Sequence, residues 1–185
     1  MGLRSDALAV LTGWTAPDPA QERLRLEFLR HLTENEDGMW RSCVPGHVTA
    51  SVAVLSHDGA RVLLTLHKIA QLWLQLGGHC EEDDRTLAEA ALREAGEESG
   101  MPGLRLLPGG PVRLDRHRVR CHPPECWHLD VQYAAVAPEG GLPVMSDESN
   151  DLRWFPVTDL PHPTDDAVRG LVADASLTLN RSAGR

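Results

Sequence analysis

Apolar positions repeat along this chain with a helical period at its start and with strand-like runs afterwards, and the change divides it. Residues 1–13 and 19–34 read as helices, the second with Leu24, Phe28, Leu29 and Leu32 on one apolar face. Pro45-Gly46 marks the boundary, so residues 1–44 are expected to form an N-terminal helical extension and residues 45–185 the main domain. From His47 to Leu55 the chain passes through Val, Thr, Ala and Ser, which predicts a buried strand. Asp58-Gly59 predicts a turn, with Arg61–His67 as the second arm of a hairpin. Residues 73–76 read as a short strand that delivers the chain to Gly77-Gly78. Beyond a helix starting near Leu87, strands are expected at 112–120, 128–137 and 151–155, and a last helix at about 164–176.

The helix near Leu87 has the clearest local specification. Thr86 followed by Glu89 is a capping-box pattern, and Asp83 and Asp84 stand where negative charge favours the positive end of the helix dipole. Leu87, Ala88, Ala91, Leu92 and Ala95 make an apolar stripe, and Gly100 with Pro102 ends the helix. Gly96 costs about 1 kcal/mol relative to Ala, which invites a packing reason. Glu94, Glu97 and Glu98 fall within an arc of about 100° on one face. Like charges so placed repel, and a hard divalent cation held by the carboxylates is the simplest offset. The plain alternative is a solvated acidic face.

Composition narrows the partners. A formal charge of −9 over 185 residues argues against nonspecific nucleic-acid binding, which depends on Lys and Arg. It leaves room for small phosphate esters, because a bound cation inverts the local field. No apolar stretch reaches membrane-spanning length, and the N-terminus lacks the apolar core of a signal peptide, so a cytoplasmic protein is expected. The four cysteines, Cys43, Cys80, Cys121 and Cys126, are then expected as reduced thiols.

The stretch Gly78, Asp84, Arg93-Glu94-Ala95-Gly96-Glu97-Glu98-Ser99-Gly100-Met101 resembles the Nudix box. It departs in two ways: Asp84 replaces the usual Glu, and one extra residue precedes Arg93. The resemblance implies an α+β protein, a Nudix-type α/β/α sandwich with a mixed sheet. It also implies a pyrophosphohydrolase that cleaves a diphosphate linkage in a small nucleotide-type substrate. Glu94, Glu97 and Glu98 would hold Mg²⁺ or Mn²⁺, helped by a backbone carbonyl of Gly77 or Gly78. Glu97 and Glu98 would serve as the metal and base pair, in an order that the box leaves open, and Arg93 would orient a neighbouring glutamate. Weaker likeness runs through roughly residues 47–160, and a homodimer is a candidate assembly.

Several residues outside the box remain candidates with two readings each. Glu148, on a late loop, is a further metal ligand or base, or a polar loop residue. Cys121, His122, Cys126 and His128, with His117 upstream, invite zinc, but the spacing lacks paired knuckles and Pro123-Pro124 reads more simply as a hairpin tip. His47, His67 and His79 read as core or edge residues, with His79 the best placed to reach a phosphate or substrate. Trp40, Trp73, Trp127 and Trp154 read as packing, although Trp127 offers a stacking face. Two other classes compete with the hydrolase. One is a non-catalytic Nudix-fold nucleotide-binding regulator; the other is an isopentenyl-diphosphate isomerase-like enzyme, supported only by Cys43 and Cys80.

Overall fold

The computed structural model describes residues 2–119, 126–146 and 149–184. Helices α1 (Leu3–Gly13), α2 (Pro19–Glu34) and α3 (Leu87–Ser99) cover one face of a mixed sheet, and α4 (Asp166–Ala183) packs on the other. This is the expected α/β/α arrangement. Two hydrophobic clusters fill it. The larger joins Leu3, Leu11, Phe28 and Leu32 of the N-terminal helices to Val48, Ala50, Val52 and Val54 of the sheet and to Leu87, Ala91 and Ala95 of α3. The smaller places Ala53, Leu55, Val62 and Leu64 against Val168, Leu171, Val172 and Ala175 of α4.

Strand β1 (Gly46–Leu55) is the axis of the sheet and is buried along its whole length. Side chains alternate between faces, so its even-numbered residues enter the larger core and its odd-numbered ones face the other way. One edge of β1 runs parallel to β7 (Cys126–Val136) in register from Gly46↔Trp127 to Leu55↔Val136. The other edge is shared. Its far end pairs with β2 (Arg61–His67), and its near end with β4 (Leu76–His79). On the outer side of β7, β6 (Arg113–Val119) and the two-residue β5 (Arg105–Leu106) divide the edge in the same way. β8 (Ser149–Pro156) pairs with β2.

Two sequence expectations change here. The single strand expected at 73–76 is two pieces, β3 (Trp73–Leu74) on β2 and β4 on β1. Trp73 joins the α4 cluster and Leu76 the α3 cluster, so the chain switches partner strand at Gln75. The last helix is capped by Asp165, whose side chain accepts from the Val168 amide, and runs from Asp166 to Ala183, with Leu179 still packed on the smaller cluster. β5 has too few residues to leave a periodic signal.

The N-terminal helices are tied to the sheet by polar clamps as well as by apolar burial. Gln21 is 3% exposed and reaches across to β6, where its amide donates to the Leu114 carbonyl and accepts from the Leu114 N–H. Asp6 accepts at 2.8 Å from the Leu87 amide, one of the first-turn N–H groups that α3 cannot satisfy within itself. Thr86 accepts from the Glu89 amide as the capping box requires, but Glu89 reaches back to the Arg85 amide instead of that of Thr86. Gly100 ends α3 at φ 60°, ψ 12°.

Gln21→Ala should destabilise the protein by about 1–3 kcal/mol, because it strands both buried backbone groups of Leu114. A lowered denaturation midpoint with an unchanged slope is the expected readout. Gly96 has no neighbour within 4 Å of where a Cβ would stand, so no close approach requires it. Gly96→Ala should therefore raise stability by about 1 kcal/mol in the same assay.

Candidate active site

Arg93 projects from the middle of α3 and uses its whole hydrogen-bonding fork. Nε and Nη2 donate to the two carboxylate oxygens of Asp84 at 3.1 and 3.0 Å, and Nη2 also donates to the His79 carbonyl at 2.8 Å. Nη1 donates to Glu94 at 3.2 Å and to Glu97 at 3.0 Å. One guanidinium thus joins the loop before α3, the end of β4 and two box glutamates. These carboxylates hold its pKa above the usual arginine value, Asp84 first, against the opposing effect of burial. Burial by itself would raise the Asp84 pKa, but Arg93 and the Glu81 amide, which donates at 2.8 Å, hold it below 3.8. Asp84 is therefore the anchor of the loop, whose turn is closed by the Asp84 amide donating to the Glu81 carbonyl.

The glycine pair brings β4 close to this helix. At Gly77, φ is +145° and a Cβ would lie 2.3 Å from the Ser51 side chain, so only glycine fits. A Cβ on Gly78 would meet the Glu94 carboxylate at 2.8–3.0 Å. The Gly77 amide donates at 2.9 Å to Glu98, which is buried at 9% exposure. Glu97 is the open member, its side chain 59% exposed. Glu94 and Glu98 thus stand against the glycine turn, and Arg93 ties the more open Glu97 to Glu94.

On the opposite face of the same strands lies a polar patch. Asp130 of β7 is fully buried and accepts from Thr49 at 2.9 Å, Ser51 at 2.6 Å and Gln132 at 3.0 Å. Burial pushes its pKa up in spite of those donors. His47, His79 and His128 gather beside it, with ring centroids 4.8–5.0 Å apart. Their ligand nitrogens all lie within 4.8 Å of one another, and no other group of three or more His, Cys, Asp or Glu does so among the described residues. Burial lowers the pKa of His79, with Arg41 adding to the effect. Burial and the other histidines bring His128 down to about 2. His117 stacks edge-on to His128 at 5.3 Å but hydrogen-bonds Asp115 at 2.8 Å, which helps to keep its pKa raised against burial.

The residues expected from sequence therefore divide between two faces. Arg93, Glu94, Glu97, Glu98, Gly77 and Gly78 come together, whereas the His79 ring points to the histidines and only its carbonyl meets Arg93. Glu148, Cys121 and His122 lie outside the described residues. Cys126 and His128 start the same strand, and His128 joins His47 and His79. The Trp127 ring carries the Arg116 guanidinium 3.8 Å from its centroid. Sequence reasoning missed Asp130 and the association of His47 with His128. Their signal was the polar alternation His47-Thr49-Ser51 against His128-Asp130-Gln132, which only the β1–β7 register makes meaningful.

The NUDIX domain family model matches residues 45–175, and the chain belongs to that family. A NUDIX-family hydrolase from Clostridium perfringens is 27% identical, with a TM-score of 0.56 over 73% of this chain and 97% of that one. A MutT NUDIX hydrolase from Burkholderia pseudomallei is 24% identical, with a TM-score of 0.52 over 69% of this chain and 95% of that one. The NUDIX domain of Shewanella oneidensis NrtR, solved with ADP ribose, shares the fold at 21% identity and a TM-score of 0.56, over 81% of this chain and 97% of that one. Among curated proteins, none shows significant sequence similarity. No helix among the described residues is long and apolar enough to cross a membrane.

Because the folded-state pKa of Asp84 is lowered, its contribution is complete above the unfolded value near 3.8 and is lost as pH falls through the lower folded value. Asp84→Asn should be less stable than the wild type at neutral pH, and the gap should close as the pH drops below about 3.8. Urea melts of both proteins at several pH values would show it; a gap independent of pH would rule out the ion pair as its source.

Proposed function

We propose that the protein is a divalent-metal-dependent pyrophosphohydrolase acting on a diphosphate linkage in a small nucleotide-type substrate. The observation that carries this reading is the placement of Glu94 and Glu98 against the Gly77-Gly78 turn, with Glu97 linked to Glu94 through Arg93. One guanidinium charge faces Asp84, Glu94 and Glu97, with Glu98 beside them, so negative charge is left in excess. An all-oxygen donor set with excess negative charge fits a hard cation such as Mg²⁺ or Mn²⁺, held by the three glutamates and a glycine carbonyl. When bound, that cation would screen the diphosphate and lower the pKa of a water.

The chain's own residues do the rest. Arg93 holds the Glu94 and Glu97 carboxylates, which fixes them before substrate arrives and removes a reorganisation cost. Glu98, buried and accepting from the Gly77 amide, would be a rigid oxygen ligand for the cation. Glu97, the exposed carboxylate, is the group able to accept a proton from water. The isomerase-like alternative loses its support, because the Cys43 and Cys80 thiols are both buried and burial raises their pKa values to about 11 and about 12. Neither is poised to exchange protons near neutral pH.

Glu97→Gln and Glu98→Gln should each lower kcat more than tenfold while circular dichroism and melting show a retained fold. Wild-type rates in both variants at saturating metal would overturn the assignment. A panel of diphosphate-linked nucleotides incubated with Mg²⁺ and read by chromatography tests the reaction itself. Tight binding of one compound without turnover of any would instead identify a nucleotide-binding regulator.

A further inference from the structure

We propose that His47, His79 and His128 form a second metal site, for a zinc-class transition-metal cation, on the opposite face of β4 from the box glutamates. Three strands build it. His47 on β1 and His128 on β7 are register partners, and His79 on β4 pairs with Thr49, the next residue of β1 on that face. The ligand nitrogens lie within 4.8 Å of one another. Around a zinc ion with bonds of about 2.0–2.1 Å they would stand about 3.3 Å apart, a closure that imidazole rotation can supply.

The surroundings favour a cation bound by neutral imidazole. The Nε2 atom of His79 is buried with no hydrogen-bond partner among the described residues, an expensive state for a ring nitrogen in a polar patch. The neighbouring acid is already committed, since Asp130 accepts from Thr49, Ser51 and Gln132. His117 is held by Asp115 and leaves three ligands rather than four. Three imidazoles with one open position make a nitrogen donor set that suits Zn²⁺, Co²⁺ or Ni²⁺ and discriminates against Mg²⁺. The box offers the reverse, oxygen donors only. One residue belongs to both neighbourhoods: the His79 carbonyl accepts from Arg93, and the His79 ring faces the histidines. Metal at the imidazoles would therefore brace the strand that carries the glycine turn.

The test uses the full chain, stripped of metal by a chelator and titrated with Zn²⁺ or Co²⁺ in excess Mg²⁺. One equivalent should bind without displacement by Mg²⁺ and raise the melting temperature by several degrees. Co²⁺ should show the visible absorption of a low-coordinate nitrogen site, and X-ray absorption on the Zn²⁺ form should show imidazole scattering. His128→Gln and, separately, His79→Gln should weaken binding more than tenfold, whereas Glu97→Gln should bind Zn²⁺ as the wild type does. Circular dichroism establishes that each variant is folded, and the wild-type spectra stand even where one is not. Absence of stoichiometric binding, oxygen-only coordination, or affinity that survives in both folded histidine variants would each overturn the site. Because Glu97→Gln removes box chemistry and not imidazoles, failure here and failure of the hydrolase reading are separate results.

Discussion

The arrangement of the candidate active site depends on Arg93. A guanidinium is planar, permanently charged and carries five N–H groups in a fixed fork. Here the fork reaches Asp84, Glu94, Glu97 and the His79 carbonyl, so one side chain sets the positions of a loop, a strand end and a helix face together. A lysine could not reproduce the bidentate grip on Asp84. Without the guanidinium, Glu94 and Glu97, one turn apart on α3, would repel each other and the loop before the helix would lose its anchor.

The second constraint is the two-sidedness of β1. Its even-numbered side chains belong to the large core under α3, and its odd-numbered ones begin as His47, Thr49 and Ser51 before becoming apolar beneath α4. The same strand therefore supports α3 on one face and a buried polar patch on the other. β4 is short enough to take part in both, through Gly78 facing α3 and a histidine ring facing away. The N-terminal helices are part of this plan: Asp6 satisfies the first turn of α3, and Gln21 locks β6 beside β7.

Much of this was legible along the chain. β2 and α2 begin and end at the positions that local pattern predicts, because hairpin turn chemistry and a Pro at the first helical turn are short-range signals. The box helix was equally plain, since its cap, apolar stripe and terminator are all local. The split between β3 and β4 was not, because which partner strand each piece chooses is a tertiary fact. Nor was the reach of Glu89 to Arg85 rather than to Thr86, which depends on how the loop enters the helix.

The sequence by itself determined the family, the layered fold and the grouping of Glu94, Glu97 and Glu98, since residues three and four apart on a helix share a face wherever that helix lies. Only the tertiary structure decided what Asp84 does, because its partner Arg93 lies across a turn that no spacing rule describes. It alone also brought together His47, His79 and His128, which are scattered over some eighty positions and read singly as core or edge residues. Register between strands distant in sequence is set by the burial of whole faces, and that is a property of the folded sheet rather than of any local window.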